Sequence, residues 1–298
     1  MQGETLQSSV TGRHLVRPAF GRAFWSIVWR SVATAIVAAG GVAVVTPLVW
    51  MLSTSLKEPG QVLLLPPVWM PHPIVWRNYP DALNFMQGAV VFRNSALVTG
   101  LNVLGEVVSS SLVAFAFARL HTPGKEAIFI LVLSSLMLPQ QAVLVPQFIL
   151  FKLFGWVNTF APLTVPAFLG SPFYIFLMRQ FLMTLPREMD DAARVDGCGY
   201  FGLYWNIALP LSKPALGVVA IFTFIGTWND FLRPLIYLNS SSLYTVALAL
   251  QNFTADYGMT PWQLLMAASL TALAPCIVLF FVAQRFFIQG IVVTGVKG

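Results

Sequence analysis

Residues 184–214 read TLPREMDDAARVDGCGYFGLYWNIALPLSKP and lie between two long apolar runs. Four of the eleven acids of the chain, Glu188, Asp190, Asp191 and Asp196, fall inside this stretch, with Arg187, Arg194 and Lys213. Pro186 suits a first helical turn, where the N–H groups have no intrahelical partner. Glu188, Asp190 and Asp191 follow in that turn, where the helix dipole favours negative charge. The spacing predicts the ion pairs Asp190–Arg194 and Arg187–Asp191 along the helix. Ala192 and Ala193 favour the helix and leave its backbone open to close approach. Gly197 predicts the stop, because glycine takes the left-handed cap conformation at least cost. Asp196 sits at the unfavourable end of the dipole, so a local task is expected of it, such as bonding nearby N–H groups or an arginine. A second short helix is predicted over 200–208, closed by Pro210 and Pro214. The product is a helix–turn–helix knob between two apolar spans.

Working outward, 57% of the 298 residues are hydrophobic and only 9% are charged. The mean hydropathy is +0.75. A soluble domain carries about a quarter of charged residues. Several apolar runs reach the roughly 20 residues that cross a bilayer as a helix. The composition therefore predicts an all-α polytopic membrane protein, and the alternating pattern of an outer-membrane barrel is absent. Cys198 and Cys276 offer no disulfide framework, and His14, His72 and His121 are scattered. No metal cluster and no nucleophile–base constellation is apparent. A G-x-x-x-x-G-K-[ST] phosphate loop is also missing, so no cofactor is expected on this chain and any ATPase is a separate one. The net charge of +6 lies largely in loops, which topology explains better than nucleic acid.

Residues 1–30 lack a short apolar core with a small-residue cleavage site, so they are read as a cytoplasmic tail, with an interfacial helix over 20–29. A single membrane domain is expected over 31–290 and a short tail over 291–298. Six spans are predicted at 31–52, 94–118, 127–150, 162–182, 215–238 and 262–287. Prolines across 53–92 block a long helix and predict an ordered outside loop. With the N-terminus inside, the non-cytoplasmic segments hold only Lys57, Arg77, Arg93, Lys152 and Arg233 of the 17 basic residues. That bias sets the orientation and places the knob in the cytoplasm.

Three places inside the spans carry polar chemistry. Glu106 is an ionisable group at membrane depth, read either as a pathway or gate residue or as a carboxyl bonded to a neighbouring helix. Pro139, Gln140, Gln141 and Pro146 interrupt the third span, so Gln140 either faces a polar path or marks a simple kink. Trp228, Asn229 and Asp230 put an aromatic face, an amide and a carboxylate within one turn, a combination that suits sugars. The alternative is that they form the outer end of a span, with Trp228 in the interfacial belt.

The stretch 184–214 resembles the EAA loop of the permease subunits of ABC importers. The resemblance is carried by Asp191-Ala192-Ala193, Gly197 and Ile207-Ala208-Leu209-Pro210, with Asp191 where the family has glutamate. Trp76-Arg77-Asn78-Tyr79, the run 224–232 and the ending Gly295-Val296-Lys297-Gly298 resemble sugar-importer permeases. The resemblance implies a type I importer fold of six transmembrane helices and a non-catalytic subunit. It implies that the loop docks in a groove of a cytoplasmic ATPase through Glu188, Asp191, Ala192, Ala193, Asp196 and Gly197. It further implies a second homologous permease, two ATP-binding subunits that hold ATP and Mg, and an extracytoplasmic solute-binding protein. Trp228, Asn229, Asp230, Gln140 and Glu106 would then line the path of a sugar or sugar-like solute. Glycerol-phosphate esters and polyols stay open as substrates. The rival reading is an ion-coupled secondary transporter that uses Glu106 and Asp230.

Overall fold

Proline and glycine set many of the helix ends in the computed structural model, which describes residues 19–254 and 260–295. The first 18 residues of the predicted tail, residues 255–259 between the fifth and sixth predicted spans and the ending 296–298 lie outside the described residues, as do the side chains of Arg22 and Arg285.

The chain divides into two units, 1–51 and 52–298. The first is the bulk of α1, Ala19–Ser55, a continuous helix with Pro47 inside it. The separate interfacial helix expected over 20–29 is therefore the beginning of α1, since no proline interrupts it there. Its Ile36, Val37, Val42 and Val44 are exposed, as suits a span with no water around it.

In the second unit, the proline-rich segment folds back on residues 53–57. The Ser53 hydroxyl donates to the Trp69 carbonyl at 2.6 Å, and the Asn78 amide donates to the carbonyls of Ser55 and Lys57 at 2.9 and 2.8 Å. Lys57 is fully buried there, and that burial pushes its ammonium below the ordinary lysine pKa. Helix α2 (Asn78–Phe85) leads into α3 (Gly88–Arg119). With 32 residues, α3 is about 48 Å long, more than the hydrocarbon thickness of a bilayer. It runs past three apolar clusters, contributing Val91 to the first, Val98 to the second and Ala114, Phe115 and Ala118 to the third.

The predicted third span is an elbow. Helix α4 (Lys125–Ser134), extended by a 3-10 turn at Ser135–Met137, meets α5 (Gln140–Leu153) at 100°. Leu138 is extended, with ψ 119°, because a following proline disfavours the helical conformation. Pro146 lies inside α5 and does not break it. Next come α6 (Ala161–Thr164), a 3-10 stretch Val165–Leu169 and α7 (Pro172–Thr184), with Gly170 at φ +82° between them. The 3-10 backbone rests on α3 at Gly105. A β-carbon there would stand 3.0 Å from the Ala167 carbonyl carbon.

The knob begins with α8 (Glu188–Val195). Its second arm is a longer rod than the predicted 200–208: α9 (Tyr200–Gly202), a π-helical segment Leu203–Ala208 and α10 (Leu209–Leu211) run on to Ser212. Helix α11 (Lys213–Trp228) leaves that rod at 75°. The predicted fifth span is broken after Trp228 and resumes as α12 (Leu232–Tyr237). Helix α13 (Val246–Ala249) and α14 (Trp262–Gly295), with Pro275 inside, complete the described chain. Among the described residues, four stretches are long and apolar enough to cross a membrane, in α1, α3, the α6–α7 run and α14, and the count rises to six when each of the two bent pairs is taken as one span. No strand occurs among the described residues.

Candidate functional site

Gly197 turns the knob. Its φ of +82° is a left-handed conformation that L-residues rarely take, and it reverses the chain between α8 and α9. Phe115 of α3, Leu203 and Tyr204 of the π segment and Met178 and Leu182 of α7 pack together beneath the knob. Above that base, the surface is unusual for a short charged loop. Val195 is 88% exposed and Phe201 73% exposed, and Phe201 stacks on an exposed Trp205 at 6.3 Å. A groove between the arms is lined by Met189, Ala192, Ala193, Asp196, Ile207 and Pro210, among others.

The acids of the knob have partners that differ from the helical rule. Asp190 pairs with Arg119, the last residue of α3, at 3.1 Å, and the two side chains are only 13% and 5% exposed. Arg119 also donates to the Leu185 carbonyl at 3.0 Å. The expected Asp190–Arg194 pair is absent, because burial against α3 turns Asp190 away from solvent. Asp191 is exposed and sits 4.0 Å from Arg194, in place of the expected Arg187. Glu188 and Asp196 are exposed, and among the described residues neither carboxylate has a hydrogen bond or ion pair. The local partner expected for Asp196 is therefore not found among the described residues. The signal for Arg119 in the sequence is an arginine closing an apolar run, which also fits a side chain reaching for the interface.

Along α3, small polar side chains hold the irregular backbone of other segments. Asn102 donates to the Leu163 carbonyl at 2.9 Å and Ser109 to the Ala167 carbonyl at 3.0 Å. Glu106 accepts the Ser171 N–H at 3.0 Å and the Ser110 hydroxyl at 3.1 Å, at the start of α7. At the end of α3 away from the knob, Asn94 donates to the carbonyls of Ser242 and Tyr244, and Ser95 accepts the Val246 N–H. A buried backbone group left without a partner is costly, so these bonds decide where non-helical chain can sit among the spans.

The five predicted pathway residues separate. Trp228 is 6% exposed, stacks on Phe224 at 5.5 Å and donates its indole N–H to the Ala272 carbonyl at 3.0 Å. Its ring is covered by the chain's own core, which corrects both the pathway and the interfacial-belt readings. Asn229 is exposed and donates back to the Ile225 carbonyl at 2.8 Å. Asp230 pairs with Arg233 through Nε and accepts the Arg233 backbone N–H at 3.3 Å. Arg233 in turn lies near enough for its charge to act on Glu106. Gln140 opens α5 with its side chain exposed at the elbow. At the end away from the knob, an open hollow is lined by Asn239, Tyr244, Gln251, Asn252 and Thr254, above Leu235 and Leu248. No group of three or more potential metal ligands occurs among the described residues.

Several apolar spans, buried polar bonds at the breaks and a charged knob on one end define a polytopic membrane permease. Residues 107–293 match the family model described as binding-protein-dependent transport system inner membrane component. The chain is 37% identical over 207 residues to the arabinooligosaccharides transport system permease protein AraQ of Halalkalibacterium halodurans, covering 70% of this chain and 74% of that one. It is 34% identical over 263 residues to the probable ABC transporter permease protein YurM of Bacillus subtilis, covering 86% and 85%. It is 30% identical over 260 residues to the sn-glycerol-3-phosphate transport system permease protein UgpE of Yersinia pestis, covering 85% and 92%. Its fold resembles a chain in the crystal structure of a bacterial ABC transporter involved in the import of the acidic polysaccharide alginate. The TM-score there is 0.78 at 18% identity, with 87% and 96% of the two chains covered. The chain belongs to the family of inner-membrane components of binding-protein-dependent transport systems. It is an ABC permease subunit with the type I importer fold.

Proposed function

We propose that this chain forms half of the translocation path for a neutral sugar or sugar-like solute in an ATP-driven importer. Residues 31–290 act as one membrane domain, with the N-terminus and the knob in the cytoplasm, as the distribution of basic residues favours. The knob docks on an ATP-binding subunit, and two such subunits hold ATP and Mg and perform the hydrolysis. This chain binds no cofactor. A second homologous permease and an extracytoplasmic solute-binding protein complete the assembly.

The observation that carries this reading is the surface of the knob. Its acids Glu188, Asp191 and Asp196 and its apolar Val195, Phe201 and Trp205 are exposed side by side. Exposed apolar groups within a polar setting mark an interaction site. Glu188, Asp191, Ala192, Ala193, Asp196 and Gly197 are the residues assigned to the ATPase contact.

The solute reading rests on two features. The hollow opposite the knob is lined by amides and hydroxyls, and none of its described lining residues is charged. The guanidinium of Arg233 is already matched by Asp230, so it is not a free cation for a phosphate ester. Glu106, Gln140, Asn229 and Asp230 remain the candidates for the path. In proteoliposomes holding the complete complex with ATP inside, labelled arabinotriose is taken up and sn-glycerol 3-phosphate is not. Uptake of the phosphate ester in preference would overturn the neutral-solute assignment.

A further inference from the structure

We propose that Arg119 is the joint that makes α3 follow the knob, so that its far end, where Asn94 and Ser95 hold residues 242–246, moves when an ATPase moves α8. The inference rests on the importer reading above and adds a positioning residue to it.

A single guanidinium makes the connection. Arg119 reaches Asp190 on α8 at 3.1 Å and the Leu185 carbonyl at 3.0 Å, so it holds both the entry to the knob and its first helix. Both charged groups are nearly excluded from solvent. Apolar contacts can slide over one another at small cost. A buried charge cannot, since leaving its partner exposes an uncompensated ion to a poor solvent. The knob and the end of α3 are therefore constrained to shift as one piece. A second tie lies deeper, where the Tyr204 hydroxyl of the π segment meets the Ser111 hydroxyl of α3 at 2.8 Å.

From there the connection runs through an unbroken helix. Between Gly88 and Arg119 no proline interrupts α3. Its polar side chains then fix the 3-10 stretch through Ser109, the start of α7 through Glu106 and the 242–246 segment through Asn94 and Ser95. Tyr244 of that segment lines the hollow opposite the knob. One rigid element thus bonds directly to the knob, to mid-span and to the opposite mouth. Coupling between two ends requires an element whose position both ends bias, and α3 meets that description.

The test uses the full complex reconstituted with its ATPase subunits. Cys198 and Cys276 are replaced by serine, and Asn239→Cys reports the opposite mouth through its rate of labelling by a membrane-impermeant maleimide. In the otherwise native chain, ATP changes that rate. In Arg119→Gln and in Asp190→Asn, complexes that still contain the ATPase subunits lose about nine-tenths of the ATP-dependent change, as expected when a buried pair is broken. The exchanged pair Arg119→Asp with Asp190→Arg restores it at least in part, which a merely destabilising substitution would not do. If the assembled single variants keep the full change, or the exchanged pair assembles and stays silent, the assignment is overturned. If the native sequence recruits no ATPase and shows no response to ATP, the importer reading itself fails and the assignment falls with it.

Discussion

Glu106 and Ser171 stand 65 residues apart in the chain, yet the carboxylate of the first accepts the backbone N–H of the second at 3.0 Å. Ser171 precedes the first turn of α7, directly after the left-handed Gly170. An acid within a span thus serves a broken helix, which is the bonded-carboxyl alternative for Glu106. Arg233 nearby leaves a role in the path open to the same group.

Substitution at Glu106 separates the two roles. Glutamine keeps an acceptor for Ser171, whereas alanine leaves two donors unsatisfied. Thermal unfolding of the purified protein should show Glu106→Ala destabilised by about 1–3 kcal/mol and Glu106→Gln by much less. Loss of uptake in a stable Glu106→Gln protein would mark the charge itself as part of the path.

Trp228 is packed rather than presented to solute. Trp228→Phe retains stacking on Phe224 and loses the bond to Ala272, at a cost of about 1 kcal/mol. Its KM for uptake should be unchanged. Trp228→Ala removes a large buried ring and should cost about 3–5 kcal/mol. A large rise in KM for Trp228→Phe at unchanged stability would place the ring on the path after all.

Two glycines on α3 make an internal control. A β-carbon at Gly105 would meet the Ala167–Phe168 backbone at 3.0–3.1 Å, and at Gly100 nothing lies within 4 Å. Gly105→Ala should lower the yield of folded protein and its melting temperature, whereas Gly100→Ala should match the native chain. Equal behaviour of the two would contradict the close approach at Gly105.

Gly197 is limited by conformation, not by space, since its φ is +82° and no neighbouring atom lies within 4 Å of where a β-carbon would stand. A β-branched residue there costs about 1–3 kcal/mol, and asparagine less. Gly197→Val should keep membrane expression and lose coupled uptake, with Gly197→Asn intermediate. Native uptake by Gly197→Val would count against a knob of fixed shape.

The local features of the fold were legible in the residues. Acids at the start of α8, Gly197 at its end and the apolar runs of the spans follow from short-range rules. Pro139 announced a break, but the 100° elbow depends on what α4 and α5 pack against. The break after Trp228 is signalled only by Pro234, which fits the first turn of α12 and would clash with the carbonyl of residue 230 in a continuous helix. The clearest miss is Asp190. Helical spacing offers Arg194, four residues on, and the fold supplies Arg119 from another helix instead. Spacing rules describe a solvated helix face, and Asp190 is on the buried one. The sequence likewise shows Trp228, Asn229 and Asp230 as one group, although burial splits the ring from the two polar side chains.

Asp191 is the residue at which coupling of the knob to an ATPase can be broken without disturbing the fold. Its side chain is 73% exposed, and its one ion pair is a loose contact at 4.0 Å, so Asp191→Lys should leave the fold intact. The measurement is ATP hydrolysis by the complex co-purified in detergent and reconstituted in liposomes, with and without this substitution. The expected result is that an ATP-binding subunit co-purifies with the native chain and that Asp191→Lys either loses it or hydrolyses ATP without solute uptake. A native chain that purifies without an ATPase and transports solute in liposomes without ATP would contradict it.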